Sequence, residues 1–148
     1  MVEAPATPVR ILVVDDDAGD VLMIEEALAD SGIDKTIDVV GDGEEAMEFL
    51  RREGRHREAH RPDMILLDLN MPRMDGRQVL TQVKSDENLR TIPIVVLTTS
   101  SADNDILGSY TLQANAYVTK PIDLDEFNEV VRHIDQFFGR IVVLPRRQ

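Results

Sequence analysis

Five short apolar runs, separated by segments of helical periodicity, constrain the fold more than any other feature of the sequence. The runs predict β-strands at residues 10–14, 36–40, 64–69, 93–98 and 116–119. The first, third and fourth runs are continuously apolar, which is typical of strands covered on both faces. Strands that alternate with helices predict an α/β fold, a doubly wound parallel sheet with helices on both faces.

The intervening segments predict five amphipathic helices, at residues 18–31, 44–57, 76–85, 103–113 and 124–138. Helical spacing gives the first helix an apolar stripe, which consists of Val21, Leu22, Ile24, Ala27 and Leu28. Asp17 and Asp123 precede the first and fifth helices. Since a carboxylate there accepts hydrogen bonds from free backbone amides, we expect both residues to be helix caps.

The composition indicates one compact domain and excludes several functions. The chain has 148 residues, of which 43% are hydrophobic, and no cysteine, so disulfides and thiolate metal sites are excluded. The net charge of −12 opposes nucleic-acid binding, which depends on Lys and Arg that neutralise phosphates. Because no apolar run is long enough to span a bilayer, we expect a soluble, cytoplasmic protein without membrane contact.

Polar and charged residues follow four of the predicted strands. Asp15, Asp16 and Asp17 follow the first strand, Asp68 lies at the end of the third, Thr98 at the end of the fourth, and Lys120 after the fifth. Ligands of open α/β sheets bind at the carboxyl ends of the strands, so we expect these groups to meet.

These groups share a coherent chemistry. Clustered carboxylates suit Mg²⁺, which takes hard oxygen ligands and would relieve their mutual repulsion. One carboxylate is then a candidate nucleophile that becomes an aspartyl phosphate. The metal and Lys120 would stabilise the transferring phosphoryl group, and the Thr98 hydroxyl would donate a hydrogen bond to it.

Four segments, ILVVDDD, MILLDLNMPRMDG, IPIVVLTTS and NAYVTKPID, resemble the receiver domain of two-component response regulators in order and spacing. The resemblance implies the CheY-like, flavodoxin-type fold with strand order 2-1-3-4-5. It extends over residues 9–138, which leaves residues 1–8 as a flexible arm and residues 139–148 as an apolar and basic extension. It also implies a chain that catalyses only its own phosphorylation and dephosphorylation.

The resemblance assigns a role to each polar residue at the strand ends. Asp15 and Asp16 match the acidic pair that holds Mg²⁺, Asp68 matches the phosphoacceptor, and Asn70 matches the position whose backbone carbonyl completes the metal site. Three further residues belong to catalysis and switching: Thr98, the switch hydroxyl; Lys120, the phosphate-binding lysine; and Tyr117, the switch aromatic, for which an ordinary core position is the alternative.

The chain further resembles the single-domain regulators that pair with bacterial phytochromes. This likeness rests on SYTLQANAYVTKPIDLDEF, on the long loop before the third strand and on the tail GRIVVLPRRQ. It implies a sensor histidine kinase of the phytochrome type as partner, and a downstream protein that the sequence does not identify. It also implies a homodimer through the fourth helix, fifth strand and fifth helix, with the tail as a further contact.

Several alternatives stay open at this stage. Haloacid-dehalogenase-type phosphatases use a similar residue set, but in the reverse chain order, and a phosphorylation-independent adaptor on the same fold is a third possibility.

The basic run 51–61 contains His56 and His60 four residues apart, a spacing that can bind metal. A solvated face with a longer loop is the preferred interpretation of this run, and a docking surface for an acidic partner comes next. GDGEEA, at residues 41–46, predicts a turn into the second helix.

Overall fold

The computed structural model describes residues 9–29, 35–69, 71, 74–98 and 116–119, with only the backbone of Ala27, Thr98 and residues 116–119. Its strands are β1 Val9–Val14, β2 Lys35–Val40, β3 Met64–Asp68, β4 Ile94–Thr98 and β5 Ala116–Thr119. Its helices are α1 Ala18–Ala29, α2 Gly43–Arg51 and α3 Gly76–Ser85, with a 3₁₀ turn at Gly54–His56. The predicted helices 103–113 and 124–138 lie outside the described residues.

The five strands form one sheet in the order β2-β1-β3-β4-β5, and every adjacent pair is parallel. Both the predicted α/β class and the predicted strand order are therefore confirmed. The observed strand bounds differ from the predicted ones by no more than one residue. None of the described helices is long and apolar enough to cross a membrane.

Successive side chains of each strand point to opposite faces of the sheet, and each face packs against helices. On one face, Leu12, Ile65 and Leu67 pack in a cluster with residues of α2 and α3. On the other face, Val13 and Leu66 pack with residues of α1. Since consecutive residues of β1 and β3 are buried on opposite sides, their runs have to be apolar throughout.

Helix α1 confirms one prediction and corrects another. The Asp20 amide donates to Asp17 Oδ1 over 3.0 Å, so Asp17 caps the helix as expected. Ile24 and Leu28 are fully buried, whereas Leu22, predicted to lie on the apolar stripe, is 59% exposed. The prediction for Leu22 was wrong because the face that contacts the sheet is narrower than the run of apolar residues.

Helix α2 ends at Arg51, six residues before the predicted end near residue 57. Arg52 adopts the left-handed conformation, with φ 56°, and its amide donates to the carbonyls of Glu48 and Phe49. Gly54 also has a positive φ, which glycine adopts without a steric penalty. The helix therefore closes at residue 52, and the basic run continues as a 3₁₀ turn and a loop.

Candidate functional site

Three carboxylates meet at the carboxyl ends of β1 and β3. Asp15, Asp16 and Asp68 each place one oxygen within 4.8 Å of the others. Val14 pairs with Leu67 in the sheet, so the residues that follow them, Asp15 and Asp68, lie at the same level on adjacent strands. Asp15 is 3% exposed and Asp68 is 5% exposed, whereas Asp16 faces solvent.

Backbone hydrogen bonds hold Asp15 at this rim. Its amide donates to the Val40 carbonyl over 3.1 Å, which extends the pairing of β1 and β2 by one residue. Its carboxylate Oδ1 accepts from the Asp17 amide over 2.9 Å. The turn from β1 into α1 therefore fixes the carboxylate before any ligand binds.

Gly76, the first residue of α3, contacts the backbone at the end of β3. Its amide donates to the Leu69 carbonyl over 3.0 Å. A Cβ at this position would overlap the Asp68 carbonyl oxygen and lie 2.6 Å from the Leu69 Cα. Only glycine lets the helix start approach the Asp68 backbone so closely, so Gly76 positions the candidate acceptor.

A second close approach links α2 to the loop that precedes α3. The Gly43 amide donates to the Met74 carbonyl over 3.0 Å, and a Cβ on Gly43 would lie 2.7 Å from the Met74 Cβ. Asp42 caps α2 by accepting from the Glu45 amide over 2.8 Å, which confirms the predicted turn at 41–46. The positioning roles of Gly43 and Gly76 were not predicted from the sequence. Each glycine directly follows a capping aspartate, and this arrangement is the available signal.

The other predicted site residues are described only in part. Thr98 ends β4, one residue beyond Leu97, which pairs with Asp68, so its backbone lies on the strand beside the acceptor. Tyr117 lies in β5 and pairs with Val96. Asn70 and Lys120 lie outside the described residues.

The three carboxylates fit a divalent cation. Hard oxygen donors within one ion's reach suit Mg²⁺ or Mn²⁺, and the exposed Asp16 leaves room for the water ligands that Mg²⁺ retains. Bringing three negative charges together is unfavourable without a counterion. Asp15, Asp16 and Asp68 would hold the ion.

The histidine pair of the basic run does not form a metal site among the described residues, where the three aspartates are the one candidate group. His56 Nε2 lies 2.9 Å from Glu45 Oε2, and its ring packs against Phe49 at 5.2 Å between centroids. His60 is exposed, as is most of the run, which confirms the predicted solvated face.

Glu45 links this histidine to the β2–α2 turn. Its Oε1 accepts from the Gly41 amide over 3.0 Å. Partial burial raises the pKa of Glu45, but the Gly41 amide, the His56 side chain and the Arg55 charge together bring it below its ordinary value of 4.5. The charged form of Glu45 is therefore part of the folded structure.

Comparison with known proteins identifies the family. The protein-family model named response regulator receiver domain matches residues 11–132 of this chain. The response regulator Rcp1 of a Synechocystis species is 41% identical over 138 residues, which cover 93% of this chain and 94% of Rcp1. The chain belongs to the response regulator receiver family and is a two-component response regulator, as predicted from its sequence.

Solved structures agree with this assignment. The phosphorylated cyanobacterial phytochrome response regulator RcpA is 44% identical, with a TM-score of 0.84, and the match covers 95% of this chain and all of RcpA. The Mn²⁺-bound form of Rcp1 gives 41% identity and a TM-score of 0.83 over 94% of this chain and all of that one. Bacteriophytochrome response regulator RtBRR gives 38% identity and a TM-score of 0.78, over 96% and 85% of the two chains. These likenesses confirm the predicted resemblance to regulators of phytochrome systems.

Proposed function

We propose that Asp68 accepts a phosphoryl group in a Mg²⁺-dependent reaction and that this modification switches a protein-binding surface. The observation that carries the proposal is the meeting of Asp15, Asp16 and Asp68 at one rim of the sheet. A bound divalent cation would neutralise charge on the transferring phosphoryl group. In this account the chain acts as a stand-alone switch whose domain extends over residues 9–138.

In the proposed step, a carboxylate oxygen of Asp68 attacks the phosphorus of a phosphohistidine or of a small phosphodonor. A P–O bond forms, the bond from phosphorus to the imidazole nitrogen breaks, and the imidazole leaves with the bonding electron pair. Asp68 suits this role because the next residue, Leu69, is held on both sides: its carbonyl accepts from the Gly76 amide over 3.0 Å, and its amide donates to the Leu97 carbonyl over 3.2 Å. Such positioning supplies much of the catalysis in phosphoryl transfer.

Four residues complete the proposed site and switch. Lys120 would neutralise a phosphate oxygen and the Thr98 hydroxyl would donate to one, so that phosphorylation draws the ends of β4 and β5 toward β3. Thr98 pairs with Thr119, the residue before Lys120. Tyr117 would change position with Thr98, and Asn70 would supply a backbone carbonyl to the metal.

The partners are inferred from the relatives. Rcp1, RcpA and RtBRR are named as response regulators, and the last two as regulators of phytochromes. We infer a sensor histidine kinase, of the phytochrome type, as donor and a downstream protein as receiver of the signal, with cytoplasmic localisation. We also infer a homodimer through the fourth helix, β5 and the fifth helix, with the extension 139–148, and no output by nucleic-acid or membrane binding.

Intact mass spectrometry with acetyl phosphate tests the proposed chemistry. We expect the mass of one phosphoryl group to be added with Mg²⁺ and not with EDTA. Asp68→Asn should remove the gain, whereas Asp75→Asn should keep it, because asparagine also caps a helix well. Addition that persists in Asp68→Asn would contradict the proposal. No addition to folded protein, from acetyl phosphate or from a phytochrome kinase, would favour a phosphorylation-independent adaptor.

A further inference from the structure

A groove of about 270 Å³ opens between the C-terminal ends of α2 and α3. Buried Leu50 and Leu89 contribute its apolar part, and three arginines line it: Arg51, Arg52 and Arg61. Since the strands are parallel and each helix returns the chain to the start of the next strand, the groove lies at the amino ends of the strands. The candidate phosphorylation site lies at the opposite end of the sheet.

The three groove arginines belong to the basic run 51–61, whose charge is opposite to the net charge of the chain. Residues 51–61 hold five arginines and two glutamates, a local formal charge of +3 in a chain of net charge −12. Arg51 donates to Gln82 Oε1 over 3.2 Å, and Arg61 donates to the Asn88 carbonyl and to Thr91 Oγ1. These partners are neutral, so they orient the guanidinium groups without cancelling their charge.

No described carboxylate forms an ion pair with the three groove arginines. The two ion pairs of the basic run, Arg55–Glu48 and His56–Glu45, involve other residues. Asp86 also lines the groove, and its Oδ1 accepts from the Asn88 amide over 2.8 Å. One carboxylate therefore faces three arginines, and the groove keeps a positive surplus.

Helix dipoles alone do not account for this arrangement. A cation in the last turn of a helix is favourable, which explains Arg51 at the end of α2. Arg61 lies in the loop before β3, and Arg52 lies beyond the helix end in a left-handed conformation. Three separate backbone segments therefore contribute lining residues: the end of α2, the loop before β3 and the loop after α3.

We propose that this groove binds an acidic peptide segment of a partner protein, with an apolar side chain against Leu50 and Leu89 and carboxylates on the arginines. Arginine forks pair with carboxylates through two parallel hydrogen bonds. The volume lies below the range of about 300–1,000 Å³ that is typical of small-molecule pockets, which favours a few side chains of a peptide. Because the groove is at the amino ends of the strands, this binding does not depend on phosphorylation of Asp68.

Fluorescence anisotropy with a labelled peptide of glutamates and aspartates around one leucine tests the proposal, at low salt. The rest of the chain repels such a peptide, so saturable binding reports a local basic site. We expect Arg52→Glu to weaken binding about tenfold or more, because like charges then face each other. Arg57→Glu is the matched control, because it makes the same charge change in the same exposed run outside the groove. It should change binding by less than about twofold.

Four results separate this proposal from its alternatives and from the proposed function. Asp68→Asn should leave peptide binding unchanged, and Arg52→Glu should leave phosphoryl uptake unchanged. Equal weakening by Arg52→Glu and Arg57→Glu would overturn the groove in favour of diffuse charge attraction. Binding of succinate or inorganic phosphate that requires Arg52, without binding of the peptide up to about 1 mM, would overturn the peptide and indicate a small-anion site.

Discussion

The two ends of the sheet carry opposite charges, and at both ends hydrogen bonds position the charged side chains. We call the carboxyl ends of the strands, with Asp15, Asp16 and Asp68, the acidic end, and the amino ends, with Arg51, Arg52 and Arg61, the basic end. At the carboxyl ends, Asp15 and Asp68 are nearly buried beside Asp16, and the backbone holds Asp15 through hydrogen bonds with Val40 and Asp17. At the amino ends, neutral groups orient Arg51 and Arg61. The comparison shows that backbone and neutral side-chain groups can position charged side chains at either end of a parallel sheet. Each end is thereby prepared for a ligand of the opposite charge, a cation at one and carboxylates at the other.

Gly76→Ala should disturb the acidic end most. The added methyl group overlaps the Asp68 carbonyl, so α3 or the end of β3 must move. We expect the free energy of unfolding to fall by about 1–3 kcal/mol and phosphoryl uptake to slow, with peptide binding at the groove retained. Chemical denaturation and intact mass measure the two effects.

Gly41→Ala is the matched control for this substitution. A Cβ there meets only Glu45 Oε1, at 4.0 Å, which is an ordinary contact. We expect a change in unfolding free energy within about 0.5 kcal/mol. Equal destabilisation by the two substitutions would contradict the positioning role of Gly76.

Asp16→Asn should show how much the negative charge of the acidic end affects stability and metal binding, because it removes one charge with little change in side-chain shape. Removal of one negative charge relieves repulsion, so the metal-free protein should gain up to about 1 kcal/mol of unfolding free energy. The rise in Tm with added Mg²⁺ should shrink, because metal binding stabilises only the folded state. Thermal unfolding with Mg²⁺ and with EDTA checks both, and an unchanged Mg²⁺ effect would contradict a metal role for Asp16.

Arg61→Gln should test the contribution of the Arg61 hydrogen bonds to the stability of the basic end. Loss of the bonds to the Asn88 carbonyl and Thr91 should lower the unfolding free energy by about 0.5–1.5 kcal/mol. Phosphoryl uptake should be unchanged, because the substitution is at the opposite end of the sheet. A parallel loss of uptake in folded protein would show that the two ends are coupled.

Glu45→Gln should have the smallest effect, and that effect should depend on pH. The pKa of Glu45 lies below 4.5 in the folded state, so its charged form stabilises the fold. This contribution is complete above pH 4.5 and is lost as the pH falls through the folded-state pKa. The stability difference between wild type and Glu45→Gln, a few tenths of a kcal/mol near neutral pH, should therefore shrink below pH 4.5. Denaturation curves across this range measure it, and a constant difference would contradict the ionic role.

The parts of the fold that could be predicted from sequence are those that burial determines locally. The apolar runs of β1, β3 and β4 gave strand ends within one residue, because strands buried on both faces tolerate few polar residues. The end of α2 could not be predicted in this way. It depends on Arg52 in a left-handed conformation, which arginine seldom adopts.

The same distinction applies to the two sites. The acidic cluster could be predicted because parallel strands bring their carboxyl ends together, which places Asp15 beside Asp68 without knowledge of side-chain packing. The close approach of Gly76 depends on how α3 packs on β3. The basic run showed charge at 51–61, but the groove also requires Leu89 and Asp86 from after α3, which no local pattern connects to it.

Mapping of the modified residue tests the central claim most directly. Protein incubated with acetyl phosphate and Mg²⁺ is treated with borohydride, which reduces an acyl phosphate to the alcohol, and is then digested and sequenced by mass spectrometry. We predict homoserine at position 68, and none when EDTA replaces Mg²⁺. Homoserine at Asp15, Asp16 or another acidic residue instead of Asp68, or equal labelling without metal, would contradict the account.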